Sequence, residues 1–198
     1  MTTRSPELQA FLDTLAAALG ERVVRDSAEE RAAGRIFGAL HTIAAPSGAA
    51  PTSFPVVDHL PAALAAAAEA PAAVARHAAA LDALAPQLIW RRRPNAEDDP
   101  RFAAGHANST IVGPGGIEDR SDVWVGISLL APDVVYPDHH HSPEEIYLVT
   151  SEGDWRQNEG PWHSPGQGGI VYNPPNIVHA MRAGPHTPLF ATWCLWAG

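Results

Sequence analysis

The chain has 198 residues, is 45% hydrophobic and carries a formal net charge of -9. That is enough apolar chain for one domain with a sizeable core, and it excludes a disordered chain. The acidic balance and the lack of a Lys/Arg stripe exclude a nucleic-acid partner, and the one basic run, Arg91-Arg92-Arg93, is followed by Glu97, Asp98 and Asp99 and reads as a solvated strand end.

Taken in chain order, the first 85 or so residues read as helix. Ser5 suits an N-cap, Pro6 the first helical position, and Glu7 the positive helix end. Leu8, Phe11, Leu12, Leu15 and Leu19 then fall on one face, and Gly20 is expected to end the helix. Ser27-Ala28-Glu29-Glu30 is a capping box, with Ser27 as the cap and Glu30 reaching back. Ala32, Ile36, Leu40 and Ile43 form the face that follows. A loop with three prolines spans 45–55, and two further helices are expected near 59–69 and 71–85, divided at Pro71. They are poor in large side chains, so they should cover something rather than build a core of their own. Glu69, Pro71, Arg76, His77 and Asp82 interrupt this alanine-rich stretch, which excludes a membrane span.

The character changes after Pro86. The runs QLIWRRR, SDVWVGISLL, EEIYLVT, GGIVYNP, IVHAMR and PLFATWCLW are short, rich in β-branched and aromatic residues, and separated by Gly, Pro, Asn and Asp. They predict a mainly β fold with no helix between the strands, so the chain divides into a helical segment at 1–85 and a β-barrel at 86–198. The single cysteine, Cys194, lies in an apolar run and reads as a buried, inert thiol. One cysteine allows no internal disulfide, and the N-terminus has no secretory h-region, so a cytoplasmic location is expected.

The chemistry concentrates in Tyr136-Pro-Asp-His-His-His-Ser-Pro-Glu-Glu-Ile-Tyr147. On an extended strand His139 and His141 point one way and His140 the other. Glu145 and Tyr147 share a face of the next strand, and a second histidine-bearing strand carries His179 after a Pro174-Pro175-Asn176 turn. Mixed imidazole and carboxylate groups suit a divalent first-row metal such as Zn, Fe, Mn, Co or Ni. His140, His163 and His186 do not join this set, and His41, His59, His77 and His106 have no ligand spacing.

These motifs resemble those of the cupin superfamily. The chain has His139-x-His141-x3-Glu145 and, 34 residues on from Glu145 to His179, Pro174-x-Asn176-x2-His179. Asn176 stands where the superfamily pattern has glycine, and asparagine also tolerates the left-handed conformation. With the helical N-terminal part and the Tyr136–Tyr147 stretch, the chain is similar to the cupin-type dimethylsulfoniopropionate (DMSP) lyases, most closely the DddQ type. That resemblance implies a single C-terminal cupin (double-stranded β-helix) barrel with an α-helical N-terminal segment. It implies metal ligands at His141, Glu145 and His179, with Tyr147 in or beside the coordination shell, and Tyr136 and His139 lining the pocket. The implied reaction is β-elimination of dimethyl sulfide from DMSP, leaving acrylate. Tyr147 is the best placed general base, with Tyr136 the second tyrosine at the site. A dimethylsulfonium has no N–H or O–H donor and is best held over aromatic faces, for which Tyr136 and Trp193 are candidates beside four other tryptophans. Another metal-dependent cupin enzyme (a dioxygenase or isomerase) or a non-catalytic metal-binding sensor remains the alternative, and the helical half leaves room for a lid, a cap or a homodimer surface.

Overall fold

The computed structural model describes residues 3–94 and 96–198. Its first part is helical: α1 (Pro6–Gly20), α2 (Ala28–Ala39), then, after the two-residue strand β1 (Ala45–Pro46), α3 (Leu60–Ala68) and α4 (Ala72–Leu84). Both N-caps form as the sequence predicts. Ser5 accepts from the Leu8 N–H at 3.2 Å and Ser27 from the Glu30 N–H at 3.1 Å. Glu30 reaches one residue further back than a standard capping box, to the Asp26 N–H at 2.7 Å. Gly20 is the last residue of α1, and the chain leaves through Glu21 in right-handed geometry rather than through a left-handed glycine cap.

The rest is sheet: β2 (Trp90–Arg91), β3 (His106–Val112), β4 (Glu118–Asp119), β5 (Val123–Leu130), β6 (Val135–His139), β7 (Glu144–Val149), β8 (Asp154–Gln157), β9 (Ile170–Asn173), β10 (His179–Arg182) and β11 (Leu189–Trp196). The expectation of no helix here is corrected by α5 (Pro100–Gly105), a short helix capped by Asp99, whose carboxylate accepts from Arg101 and Phe102 N–H. QLIWRRR contributes only the two residues of β2. His106–Val112, which carries Asn and Ser among its apolar residues, forms a full strand that its patterning hides.

Two sheets result, one ordered β1-β4-β3-β5-β11-β7-β9 with β2 also on β3, the other β6-β10-β8. The hydrogen bonding does not close into a single barrel, which corrects that part of the expectation. At the gap between β8 and β9 a side chain replaces the ladder: Gln157 Nε2 donates to the Tyr172 carbonyl at 2.6 Å and to Asn173 Oδ1 at 2.8 Å. Pro174 and Pro175, next in the chain, have no N–H to extend the pairing.

The large sheet is buried on both faces, and strand alternation assigns each residue to one of them. Ile146, Leu148, Phe190 and Cys194 join Leu8, Phe11, Leu12, Leu15 and Leu81 in a core shared with the helices. Tyr147, Val149, Leu189 and Ala191 join Tyr136, Trp155 and Met181 of the small sheet in a second core. This explains why all of β7 is buried, and it gives the alanine-rich helices their task of covering one sheet face. Cys194 is fully buried, and burial pushes its thiol pKa up, as an inert cysteine requires. No helix among the described residues is long and apolar enough to cross a membrane.

His77 joins the two halves. It is fully buried in α4, with Nε2 2.9 Å from Thr192 Oγ1 on β11 and Nδ1 3.4 Å from Thr14 Oγ1 on α1. Burial lowers its pKa from 6.5 to about 3, opposed by the Phe11 carbonyl. An unfolded chain therefore takes up a proton near pH 6.5 that the folded chain refuses until about pH 3. The stability due to neutral His77 is complete above that window and is lost on acidification through it, by at most ~1.4 kcal/mol per pH unit. His77→Gln, which cannot titrate, should lose stability less steeply between pH 6.5 and about pH 4, as read by urea midpoints. A slope parallel to the parent's would contradict this.

Candidate metal centre

The site lies between the two sheets. Pairing of β6 with β10 sets His139 opposite His179, with ring centroids 4.0 Å apart. His141 sits just past β6 in the bend leading to β7, and β7 presents Glu145 from the large sheet. The turn before β10 holds the bend in place: Asn176 takes the left-handed conformation (φ 63°) that its motif position requires, and its N–H donates to the His141 carbonyl at 2.9 Å. His140 points to solvent.

One ligand atom each from His139, His141 and His179 lies within 4.8 Å of the others. Glu145 Oε2 is 3.3 Å from both His141 Nε2 and His179 Nε2. All three rings use Nδ1 in the same way, each facing a backbone carbonyl two residues away: Pro137 from His139 at 2.9 Å, Pro143 from His141 at 2.9 Å, and Ile177 from His179 at 3.1 Å. A carbonyl can only accept, so the proton of each neutral ring sits on Nδ1 and Nε2 keeps its lone pair. His179 Nε2 is buried with no hydrogen-bond partner. Lone pairs aimed at a carboxylate repel unless a positive charge lies among them, so the donor set fits a divalent cation.

The groups of the cluster differ in the charge they favour. Burial holds His139 neutral, lowering its pKa to about 3, with His179 adding to the effect. Burial works against charge on His141, but the contact with Glu145 outweighs it and its pKa lies above the usual value. Burial would raise the pKa of Glu145; contacts from His141 and His179 override it, so the carboxyl is ionised and acid-resistant. Two residues outside the motif orient that carboxylate. Asn173 Nδ2 donates to Glu145 Oε2 at 2.9 Å, and Gln157 in turn holds Asn173. Neither has a motif spacing; the pairing of β7 with β9 sets Glu145 opposite Asn173, and Gln157 reaches Asn173 from β8 in the other sheet.

The tyrosines flank the cluster. Tyr147, two residues past Glu145, is buried, and its ring centroid is 6.3 Å from that of Trp155. Burial, then the Glu145 carboxylate, pushes its phenol pKa well up. Tyr136 packs against His139 at 4.6 Å and accepts a 3.2 Å hydrogen bond from Asn108 Nδ2. One face of its ring carries the Arg93 guanidinium, 5.5 Å from the centroid. Trp193 pairs with Tyr147 across β7 and β11 and with Gly126 across β5. A Cβ at Gly126 would overlap the Trp193 indole and the Ser109 carbonyl, so the glycine leaves room for that ring.

A two-sheet fold holding a histidine–carboxylate cluster between its sheets defines a candidate metal-binding protein. The sequence profile of the DMSP lyase family (dimethylsulfoniopropionate lyase) matches residues 28–191, and the chain belongs to that family. It is 30% identical over 120 residues to a DddL protein of Cereibacter sphaeroides named as a candidate DMSP lyase, a match that covers 60% of this chain and 50% of that one. The chain thus spans about half the length of that curated relative. Two solved structures share the fold. One is DMSP lyase DddQ from Ruegeria pomeroyi (TM-score 0.72, 20% identity, 98% of this chain and 92% of that one). The other comes from a crystal study of the DMSP lyases RdDddP and RnDddQII (TM-score 0.71, 24% identity, 97% and 92%).

Asn173→Ala should weaken divalent-metal binding by about 10- to 100-fold in chelator competition, because Glu145 loses its orienting donor. Unchanged affinity would show that the carboxylate needs no such support. Gly126→Ala should lower stability by about 1–3 kcal/mol and shift the tryptophan emission as Trp193 is displaced; a neutral variant would contradict the overlap.

Proposed function

We propose that the protein is a carbon–sulfur lyase that cleaves DMSP to dimethyl sulfide and acrylate by β-elimination. Family membership supports the substrate. The observation that carries the reaction is the meeting of three imidazoles, one carboxylate and two buried phenols between the sheets. In this reading the sheets are an opened cupin double-stranded β-helix. The helical segment (1–85) and the β segment (86–198) act as one unit because they share a core, and the buried lone cysteine suits a reducing cytoplasm.

His141, Glu145 and His179 would hold one divalent transition metal (Zn, Fe, Mn, Co or Ni), with His139 beside them as a further donor and Tyr147 at the edge of the shell. Such a cation would set positive charge against the substrate carboxylate, easing loss of the neighbouring C–H proton and ionisation of the nearby phenol. Tyr147 is the general base: its Oη takes the proton from the carbon next to the carboxylate. The C–H electrons form the new C=C bond, the C–S bond breaks with its pair on sulfur, and dimethyl sulfide leaves. Trp193 and Tyr147, cross-strand neighbours, wall the sulfonium end with aromatic surface, while Tyr136 and His139 close the pocket on the other side. The buried setting excludes water, which the elimination does not need.

Purified protein supplied with DMSP should release dimethyl sulfide into the headspace without consuming oxygen. Chelation should abolish release, and one of the five metals should restore it. Tyr147→Phe should lose at least about 100-fold in turnover while keeping its metal. A Tyr147→Phe variant with parental turnover would remove the base, and oxygen consumption or no dimethyl sulfide would remove the lyase reading.

A further inference from the structure

Arg91 and Arg92 behave as a strand end facing solvent: Arg91 donates to the Gly115 carbonyl at 3.1 Å, and Arg92 lies over Phe54 at 4.9 Å. Arg93 does not. It is half-buried, and its backbone N–H donates to His106 Nε2 at 3.0 Å. His106 is itself fixed by the Phe102 carbonyl at 2.7 Å and by stacking on the Phe102 ring at 3.7 Å. This buried post aims the Arg93 side chain over the Tyr136 ring, on the His139 side of the site. Among the described residues the Arg93 guanidinium makes no ion pair, although seven other arginines do.

A held, half-buried guanidinium without an acceptor among the described residues is a waiting partner for an anion, and its planar fork matches a carboxylate in two hydrogen bonds. We propose that Arg93 anchors the carboxylate of the substrate and thereby sets which end of the zwitterion enters first. The carboxylate lies toward Arg93 and Tyr136. The sulfonium, repelled by the guanidinium, lies toward Trp193 and Tyr147. The site thus favours short carboxylates that carry a distal cation over sulfonium compounds with no free carboxylate. This inference rests on the lyase reading for the identity of the substrate, but the anchor itself is a binding property that can be read without turnover.

The test compares the metal-loaded parent with Arg93→Ala and Arg93→Lys, with metal content checked for each. Propionate and trimethylsulfonium are the binding probes by calorimetry, and DMSP is the kinetic substrate. Arg93→Ala should weaken propionate tenfold or more and raise KM for DMSP by a similar factor, with kcat changed no more than a few-fold. Trimethylsulfonium binding should be unchanged or tighter, and Arg93→Lys should recover part of the loss. Propionate affinity and KM within twofold of the parent in Arg93→Ala would overturn the anchor, even in an active lyase. Arg93-dependent propionate binding in a parent that releases no dimethyl sulfide would uphold the anchor and overturn the lyase reading instead. A parent that binds no propionate would overturn the anchor outright.

Discussion

Each of three imidazoles at the centre of this protein gives its Nδ1 proton to a carbonyl two residues away in its own backbone segment. That local bond decides the tautomer and leaves Nε2 bare, and the fold then brings two of these lone pairs to 3.3 Å from a buried, ionised carboxylate. A cation placed among them relieves the repulsion between these lone pairs and the carboxylate. The rest of the architecture serves this constraint: the turn at Asn176, the cross-strand pairing of His139 with His179, and the Gln157–Asn173 relay to Glu145 each fix one donor in space.

The site also depends on a sheet with two buried faces. Along β7, Ile146 and Leu148 pack on the helices while Glu145 and Tyr147 face the small sheet. A one-residue slip would exchange these sets, placing the carboxylate and phenol under the helices and leaving the histidines opposite aliphatic side chains. The helical half therefore affects the chemistry without touching it. It supplies the apolar cover that makes one register far better than its neighbours, and the His77–Thr192 contact pins that cover to β11.

Much of this could be read from the chain before any coordinates. The caps at Ser5 and Ser27 are local and form as expected. So does the left-handed turn at Asn176, since it too depends on only a few neighbouring residues. Strand alternation converts the spacings of His139, His141, Glu145 and Tyr147 into direction, while His141, Glu145 and His179 as a ligand set follow from the resemblance to the cupin motifs. His139 was read as a pocket neighbour, and the structure sets it with the other two imidazoles. What escaped has a common cause. Asn173, Gln157 and Arg93 are tied to the site through partners that are distant in sequence, which no local pattern reveals. The strand His106–Val112 was missed because its buried polar residues break the apolar pattern, and α5 because six residues give too little periodicity. The open seam between β8 and β9 depends on one glutamine side chain spanning two sheet edges, a contact that strand patterning cannot express.

The central claim is that these lone pairs and this carboxylate form one metal site. Cobalt(II) loading followed by X-ray absorption tests it most directly. The account predicts stoichiometric cobalt with nitrogen and oxygen neighbours and the outer-shell scattering of several imidazoles, lost in His179→Ala. Cobalt that is substoichiometric, or that shows only water-like oxygen neighbours and is indifferent to His179→Ala, would contradict it.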